Sequence, residues 1–188
     1  KGKTSENISY MKHGKTGKKL FPGVKPLLPL SINFPQIIVE SKSEEDVIAT
    51  IKLPYTDPED SNKFASIHSN PPGVVTDYPA AIYRESGQGK IIWTASPVEV
   101  FSQKPHCDTF IAMIDELVDD DYSFSADIPA AVEIIQFKQS DKKRYLVNLV
   151  NQQEHLPPIP VNDITVKVKT DTKEIERVIL LPDEEPLN

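Results

Sequence analysis

The stretch YPAAIYRESGQGKIIWTA, Tyr78 to Ala95, contains two apolar runs separated by a glycine-rich turn. Residues 80–83 and 90–95 read as β-strands, and Gly87 and Gly89 between them supply the positive φ values of a tight reversal. The stretch therefore predicts a β-hairpin. Its second run, KIIWTA, is almost wholly apolar, which is typical of a strand covered on both faces. We accordingly expect the hairpin to belong to a sheet with layers on both sides.

The sequence before the hairpin predicts further short elements. Residues 46–53, DVIATIKL, alternate apolar and polar positions like a half-buried strand, and residues 36–40 and 64–68 are shorter strand candidates. Seventeen prolines in 188 residues favour short elements joined by stiff turns over long helices. The lysine-rich opening, residues 1–19, has no aromatic ladder or recognisable motif. We interpret it as a solvated polar lead-in segment.

The pattern changes to a helical period between Lys104 and Val118. An apolar stripe at helical spacing predicts one amphipathic helix with that stripe on the core. Acidic residues occupy the opposite side, and the acidic run DDDY at 119–122 opposes the helix dipole and favours termination. The stripe consists of Cys107, Phe110, Ile111, Ile114, Leu117 and Val118.

Beyond residue 121 the sequence predicts strands without a helix. Turn-rich segments separate five candidate strands, which favours a small antiparallel β-sandwich. The predicted organisation is therefore an α/β domain over residues 1–121 and an antiparallel β-sandwich over residues 122–188. The candidate strands are residues 122–127, 131–139, 143–152, 163–170 and 174–182.

Charge and composition exclude several classes of function. A formal net charge of −7 argues against a general nucleic-acid binder, which needs a basic face. No apolar run approaches the ~18 residues that cross a bilayer, so no membrane partner is expected. The single cysteine, Cys107, rules out an intrachain disulfide and a multi-cysteine zinc site.

Motifs for cofactors and metals are absent from the sequence. Gly87-Gln88-Gly89 lies between two strands and lacks the third glycine of a dinucleotide fingerprint, and no P-loop, nucleophile elbow or HExxH motif occurs. The four histidines are far apart in sequence, so we expect neither a metal site nor a cofactor. They are His13, His68, His106 and His155.

Two kinds of candidate site remain. Glu99 and Glu133 are possible hydrolytic carboxylates, but neither has an evident second carboxylate nearby, and a structural role is the better interpretation of both. Tyr78 and Trp93, with His68, are candidate carbohydrate contacts, because aromatic rings stack on sugars. Strict alternation places Trp93 on the face of Ile91, and this favours core packing for the indole.

Three segments taken together resemble a known family. FASIHSNPPG (64–73), YPAAIYRESGQGKIIWTASPVEVF (78–101) and AAVEIIQFKQSDKKRYLVNLVN (130–151) are similar to the C-terminal part of certain bacterial glycoside hydrolases. In that family a catalytic (β/α) barrel precedes a glutamine-amidotransferase-like α/β domain, similar to the trimerisation domain of β-galactosidases, and a small β-sandwich. The resemblance covers roughly residues 47–181.

The resemblance implies a fold and a role. It implies a partial, flavodoxin-like α/β domain with a mostly parallel sheet, beginning partway through that domain, followed by the β-sandwich. Cys107 has no nucleophile elbow around it, so amidotransferase activity is not implied. The implied role is a non-catalytic accessory region that supports the catalytic barrel or subunit association, with a homo-oligomer as a further expectation. The alternatives are a carbohydrate-binding module and a hydrolase using Glu99 or Glu133.

Overall fold

The computed structural model describes residues 2–5, 8–57, 59–66, 69–119, 122–171, 174–182 and 185–186. Contacts between Cα atoms divide the chain into two compact units, Lys1–Asp120 and Asp121–Asn188. The described part of the chain is mostly β-structure with one α-helix. None of its helices is long and apolar enough to span a membrane.

The first unit is built on a five-stranded antiparallel sheet. The strands of this unit are β1 (Gly2–Lys3), β2 (Ser9–His13), β3 (Leu30–Ile32), β4 (Ile37–Ile38), β5 (Val47–Pro54), β6 (Pro72–Ser86) and β7 (Gly89–Thr94). The strand order of the sheet is β3-β2-β5-β6-β7, and β1 and β4 form a separate antiparallel pair. A 3-10 helix, Thr16–Leu20, follows β2, and the α-helix α1, Lys104–Val118, follows β7.

The expected amidotransferase-like domain with a mostly parallel sheet is wrong. Every pairing within the five-stranded sheet is antiparallel. Parallel neighbours need a crossover of a dozen or more residues, usually a helix, whereas β6 and β7 are joined by a tight turn and α1 follows the last strand of the sheet. The candidate strand at 64–68 is also wrong, because residues 64–66 form no strand and residues 67–68 lie outside the described residues.

The lysine-rich opening is not a solvated lead-in segment. Its residues 9–13 form β2, which lies between β3 and β5 in the sheet. Met11 is 0% exposed and pairs with Ile51, which is also 0% exposed. Within this strand Lys12 is half-buried, whereas its neighbour Met11 is fully buried and supplies core.

The hairpin between β6 and β7 confirms the expectation from residues 78–95, with two differences. Only Gly87, with φ of 62°, has the left-handed backbone of the turn, whereas Gly89 pairs with Ser86 as the first residue of β7. In addition, β7 is an edge strand of the sheet. Its Ile91 is 53% exposed, so the apolar run does not mark a strand covered on both faces.

The bounds of α1 agree with the predicted helix, but its buried face does not. The buried residues of α1 are His106, Thr109 and Met113. Phe110 and Ile111, both expected in the core, are 38% and 56% exposed. The face of α1 that packs on the core therefore differs from the predicted apolar stripe, and the stripe is only partly buried.

The second unit consists of antiparallel strand pairs. In it β9 pairs with β10 over eight residue pairs, and β8 pairs with β11. The predicted strands of this region are confirmed in order, although the last is much shorter than expected. The strands are β8 (Phe124–Asp127), β9 (Val132–Gln139), β10 (Arg144–Asn151), β11 (Thr165–Val168), β12 (Ile179–Leu180) and β13 (Glu185–Pro186).

Candidate functional site

Tyr78 and Trp93, two of the three predicted sugar contacts, lie on the neighbouring strands β6 and β7. Trp93 is half-buried against the hydrophobic core, and its cross-strand partner is Ile82. Tyr78 is 43% exposed and precedes Ile82 by four residues, or about 13 Å along a strand. The register thus separates the two rings, and their role as sugar contacts stays a prediction. His68 lies outside the described residues.

The two candidate carboxylates belong to different units. Glu99 is exposed in the loop between β7 and α1. Glu133 is exposed on β9, where its Oε2 accepts a hydrogen bond of 2.5 Å from Gln152 Nε2. Among the described residues, neither carboxylate lines either of the two grooves described below, and so neither shows the paired arrangement of a glycosidase there.

Other residues with chemical potential have structural contacts. The Cys107 thiol is half-buried and lies 3.6 Å from the Phe101 carbonyl oxygen. His106 Nε2 lies 2.6 Å from the Ser31 carbonyl oxygen, and its ring stacks on Phe101. Across the described residues, no three His, Cys, Asp or Glu side chains form a group that could hold a metal ion.

A first groove of about 390 Å³ runs beside the C-terminal half of α1. Lys19 Nζ lies 2.7 Å from Glu116 Oε2, and Lys90 Nζ pairs with the Asp119 carboxylate. The hydrogen bond to Asp119 raises the pKa of Lys90, and burial of the Tyr83 hydroxyl, followed by the nearby Glu116, raises the pKa of Tyr83. These ion pairs join α1 to the 3-10 helix and to β7, which is a structural role.

A second groove, of about 210 Å³, lies within the second unit. Gln136 and Lys138 are two residues apart on β9 and therefore share a face, and Tyr145 of β10 pairs directly with Lys138. The Asp171 N–H donates to Tyr145 Oη at 3.1 Å, and the Asp171 carboxylate pairs with Lys138 Nζ. Ser123, Lys169 and Thr170 complete the lining.

The groove combines an ion pair with a buried acceptor that has no hydrogen-bond partner among the described residues. The Lys138 ammonium lowers the pKa of Asp171, and the Asp171 carboxylate raises the pKa of Lys138, so each stabilises the charge of the other. Gln136 Oε1 is buried and has no hydrogen-bond partner among the described residues. A buried acceptor without a partner costs about 1–3 kcal/mol. A ligand hydroxyl is one donor that could satisfy it.

Comparison with solved structures gives a match that covers the whole chain. No protein-family model and no curated protein matches the sequence. The fold is similar to part of a fucosidase. All of this chain superimposes on α-L-fucosidase isoenzyme 2 from Paenibacillus thiaminolyticus with a TM-score of 0.64 and 17% sequence identity. The chain spans 29% of the length of that fucosidase, and at this identity the likeness is one of fold.

The groove of the second unit was not predicted from the sequence. Gln136 and Lys138 alternate with Ile135 and Phe137 in β9, and this period-2 pattern predicts a strand but no groove. The alternation does place the two polar side chains on one face, which is a usable signal. Asp171 reaches them only through the folding of the second unit, and no local pattern indicates that contact.

Proposed function

We propose that the chain is a non-catalytic accessory region of a glycoside-hydrolase-like protein, with its second unit folded as a β-sandwich. The observation that carries the proposal is the superposition of the whole chain on 29% of an α-L-fucosidase. The antiparallel pairing of β8 to β11 supports the sandwich. Fold alone does not determine activity, so the argument for a non-catalytic role rests on the site residues.

The carboxylates support a non-catalytic role. Glycosidases commonly use two carboxyl groups about 5–10 Å apart on a rigid scaffold. Glu99 and Glu133 are both exposed and belong to different units. Glu116 and Asp119 beside α1 form ion pairs with lysines. In the groove of the second unit, Lys138 lowers the pKa of Asp171, which favours a carboxylate that is unsuited to protonating a leaving group.

The proposed partner is a catalytic barrel domain. The outer face of the β9–β10 hairpin offers an apolar surface for such a domain, because Ile135, Phe137 and Val150 share one face. Their exposed fractions are 40%, 54% and 40%. Neighbouring domains commonly cover surfaces of this kind.

The test is an assay of the purified chain on a panel of p-nitrophenyl glycosides that includes the α-L-fucopyranoside. We expect no hydrolysis above the buffer rate at an enzyme concentration of about 10 µM, well above that at which typical glycosidases turn over. Saturable hydrolysis that disappears in Glu99→Gln or Glu133→Gln would overturn the proposal and make the chain a hydrolase. The control variant is Glu154→Gln, an exposed residue outside both candidate positions.

A second candidate function, sugar binding, is favoured by the groove that contains Gln136 and Tyr145. Its volume lies below the about 300–1,000 Å³ of drug-sized ligand pockets, so it suits one sugar ring. An aromatic ring beside amide, ammonium and carboxylate groups matches the mixed apolar and polar surface of a pyranose. This candidate places the sugar in the second unit, away from the Tyr78 and Trp93 strands of the first.

Isothermal titration with L-fucose, D-galactose and short oligosaccharides tests the second candidate. Binding that weakens at least 10-fold in Gln136→Ala and Tyr145→Phe supports the groove. The matched control is Gln139→Ala, which alters the opposite face of β9 where Gln139 bonds to Arg144. Fluorescence of Trp93, the single tryptophan, reports separately on the first unit. A sugar that shifts this emission, with binding unchanged in both groove variants, favours the Tyr78 and Trp93 site.

A further inference from the structure

Gln136 carries a buried hydrogen-bond acceptor in the lining of the second groove. Its Oε1 atom has no hydrogen-bond partner among the described residues. Four other buried side-chain atoms of the described residues share this property, but they lie in the first unit and their residues line neither of the two grooves. Of these five atoms, Gln136 Oε1 is therefore the one that adjoins a described groove. The other four are Gln36 Oε1, Ser96 Oγ, His106 Nδ1 and Thr109 Oγ1.

The polar neighbours of Gln136 in the groove are bonded to one another. Lys138 Nζ pairs with the Asp171 carboxylate, and Tyr145 Oη accepts a hydrogen bond of 3.1 Å from the Asp171 N–H. Lys138 and Tyr145 are cross-strand partners, and Gln136 lies on their face of the β9–β10 pair. The fold thus fixes three side chains around Gln136 without satisfying its Oε1.

The chemistry of this acceptor limits what can satisfy it. An amide oxygen only accepts hydrogen bonds, so a ligand must present an O–H or N–H group to it. Lys138 and Lys169 both line the groove, and their ammonium groups disfavour a ligand cation beside them. These properties favour an uncharged donor. A sugar hydroxyl is the uncharged donor that sugar binding in this groove supplies.

We propose that Gln136 determines the specificity of the groove, because its Oε1 accepts a hydrogen bond from one particular hydroxyl of a bound monosaccharide unit. The inference rests on the second candidate function, sugar binding by the second unit, and adds to it the selection of one hydroxyl. In the free chain the acceptor lacks a protein partner, so the incoming hydroxyl gains a hydrogen bond without breaking one in the protein. An analogue without that hydroxyl gains nothing there and should bind more weakly.

A stability measurement tests whether Gln136 Oε1 is unsatisfied in the free chain. Gln136→Met replaces the amide by an apolar group of similar length. We expect a higher urea midpoint for this variant, because a buried acceptor without a partner lowers stability and residues kept for binding commonly do so. Gln139→Met is the matched control on the opposite face of β9. Gln139 Oε1 accepts a hydrogen bond of 2.6 Å from Arg144 Nε, so its replacement should not raise the midpoint.

A binding measurement tests the selection of one hydroxyl. Isothermal titration of the full chain uses D-galactose, L-fucose and the monodeoxyfluoro analogues of both sugars, since fluorine does not donate a hydrogen bond. In the unaltered chain, we expect replacement of one particular hydroxyl to weaken binding by at least about 10-fold. In Gln136→Met this discrimination should fall below about 2-fold, because the acceptor is gone. Gln139→Met should discriminate as the unaltered chain does.

The outcomes separate this proposal from the function on which it rests. Discrimination that persists in Gln136→Met overturns the role of Gln136 and leaves sugar binding intact, as does binding that is equal for all analogues. A urea midpoint that does not rise in Gln136→Met also overturns the proposal, because the acceptor is then satisfied in the free chain. Absence of binding by both sugars overturns the proposal together with the second candidate function.

Discussion

Lys90 Nζ lies 3.0 Å from the carbonyl oxygen of Glu116, so a side chain of β7 caps the last turn of α1. The same ammonium pairs with Asp119, which ends the helix in the left-handed conformation with φ of 54°. The last turn has no basic residue of its own. The last turn of α1 carries no cation to stabilise the negative end of the helix dipole, and Lys90 of the sheet supplies that cation.

Lys90→Met should lower the Tm by about 1–4 °C, because the unsatisfied carbonyl and the acidic end of α1 lose their cation. Thermal unfolding followed by circular dichroism measures the change. Lys104→Met is the control, since Lys104 lies at the opposite end of α1 and binds only Asp108 among the described residues. Equal Tm changes in the two variants would argue against capping by Lys90.

The ion pair of Lys138 and Asp171 should make stability depend on acid pH. Lys138 lowers the pKa of Asp171 in the folded state. Between this lowered pKa and the higher pKa of the unfolded state, the unfolded chain therefore binds more protons than the folded chain. This contribution is fully present above the unfolded pKa of an aspartate and is lost as pH falls through the lower folded value. Asp171→Asn should therefore lower the urea midpoint at pH 6 and have little effect at pH 2.

The effect at Asp171 should be modest, because the pair is exposed and screened by solvent. Urea titrations of both proteins between pH 2 and pH 7 test it. Asp141→Asn, in the exposed turn between β9 and β10, serves as the control. A difference between Asp171→Asn and the unaltered chain that stays constant from pH 6 to pH 2 would contradict the linkage.

Met11→Ala should reduce the free energy of unfolding by about 2–5 kcal/mol, because it opens a cavity in a fully buried position of the interior strand β2. Chemical denaturation measures the loss. Lys12→Ala changes the next residue of the same strand, which is less buried, and should cost much less. A loss below about 1 kcal/mol for Met11→Ala would indicate that β2 lies outside the core.

The two glycines of the hairpin should respond differently to alanine. Gly87→Ala should cost about 1 kcal/mol, because φ of 62° is strained for an L-residue. Gly89→Ala should stay within about 0.5 kcal/mol, since its added Cβ would meet only Ser86 O, at 3.7 Å. Denaturation of both variants gives the comparison. Equal costs would exclude the left-handed turn at Gly87.

The sequence by itself determined the secondary-structure elements, because their formation depends on residues that are close together in the sequence. The glycine-rich turn indicated the β6–β7 hairpin, and the change to helical period located α1 at its observed bounds, Lys104–Val118. The alternating runs beyond residue 121 indicated β8 to β11 in order. Each of these patterns acts over a few residues, because backbone propensity and side-chain period are local properties.

Only the tertiary structure decided how these elements combine. The antiparallel order, the entry of Met11 into the core and the outward side of α1 all depend on contacts between distant residues, such as His106 with Ser31. The groove around Gln136 likewise needs Asp171, which lies 35 residues further along the chain. Local pattern assigns each element an apolar side, but the free energy of packing the whole chain determines which side is buried.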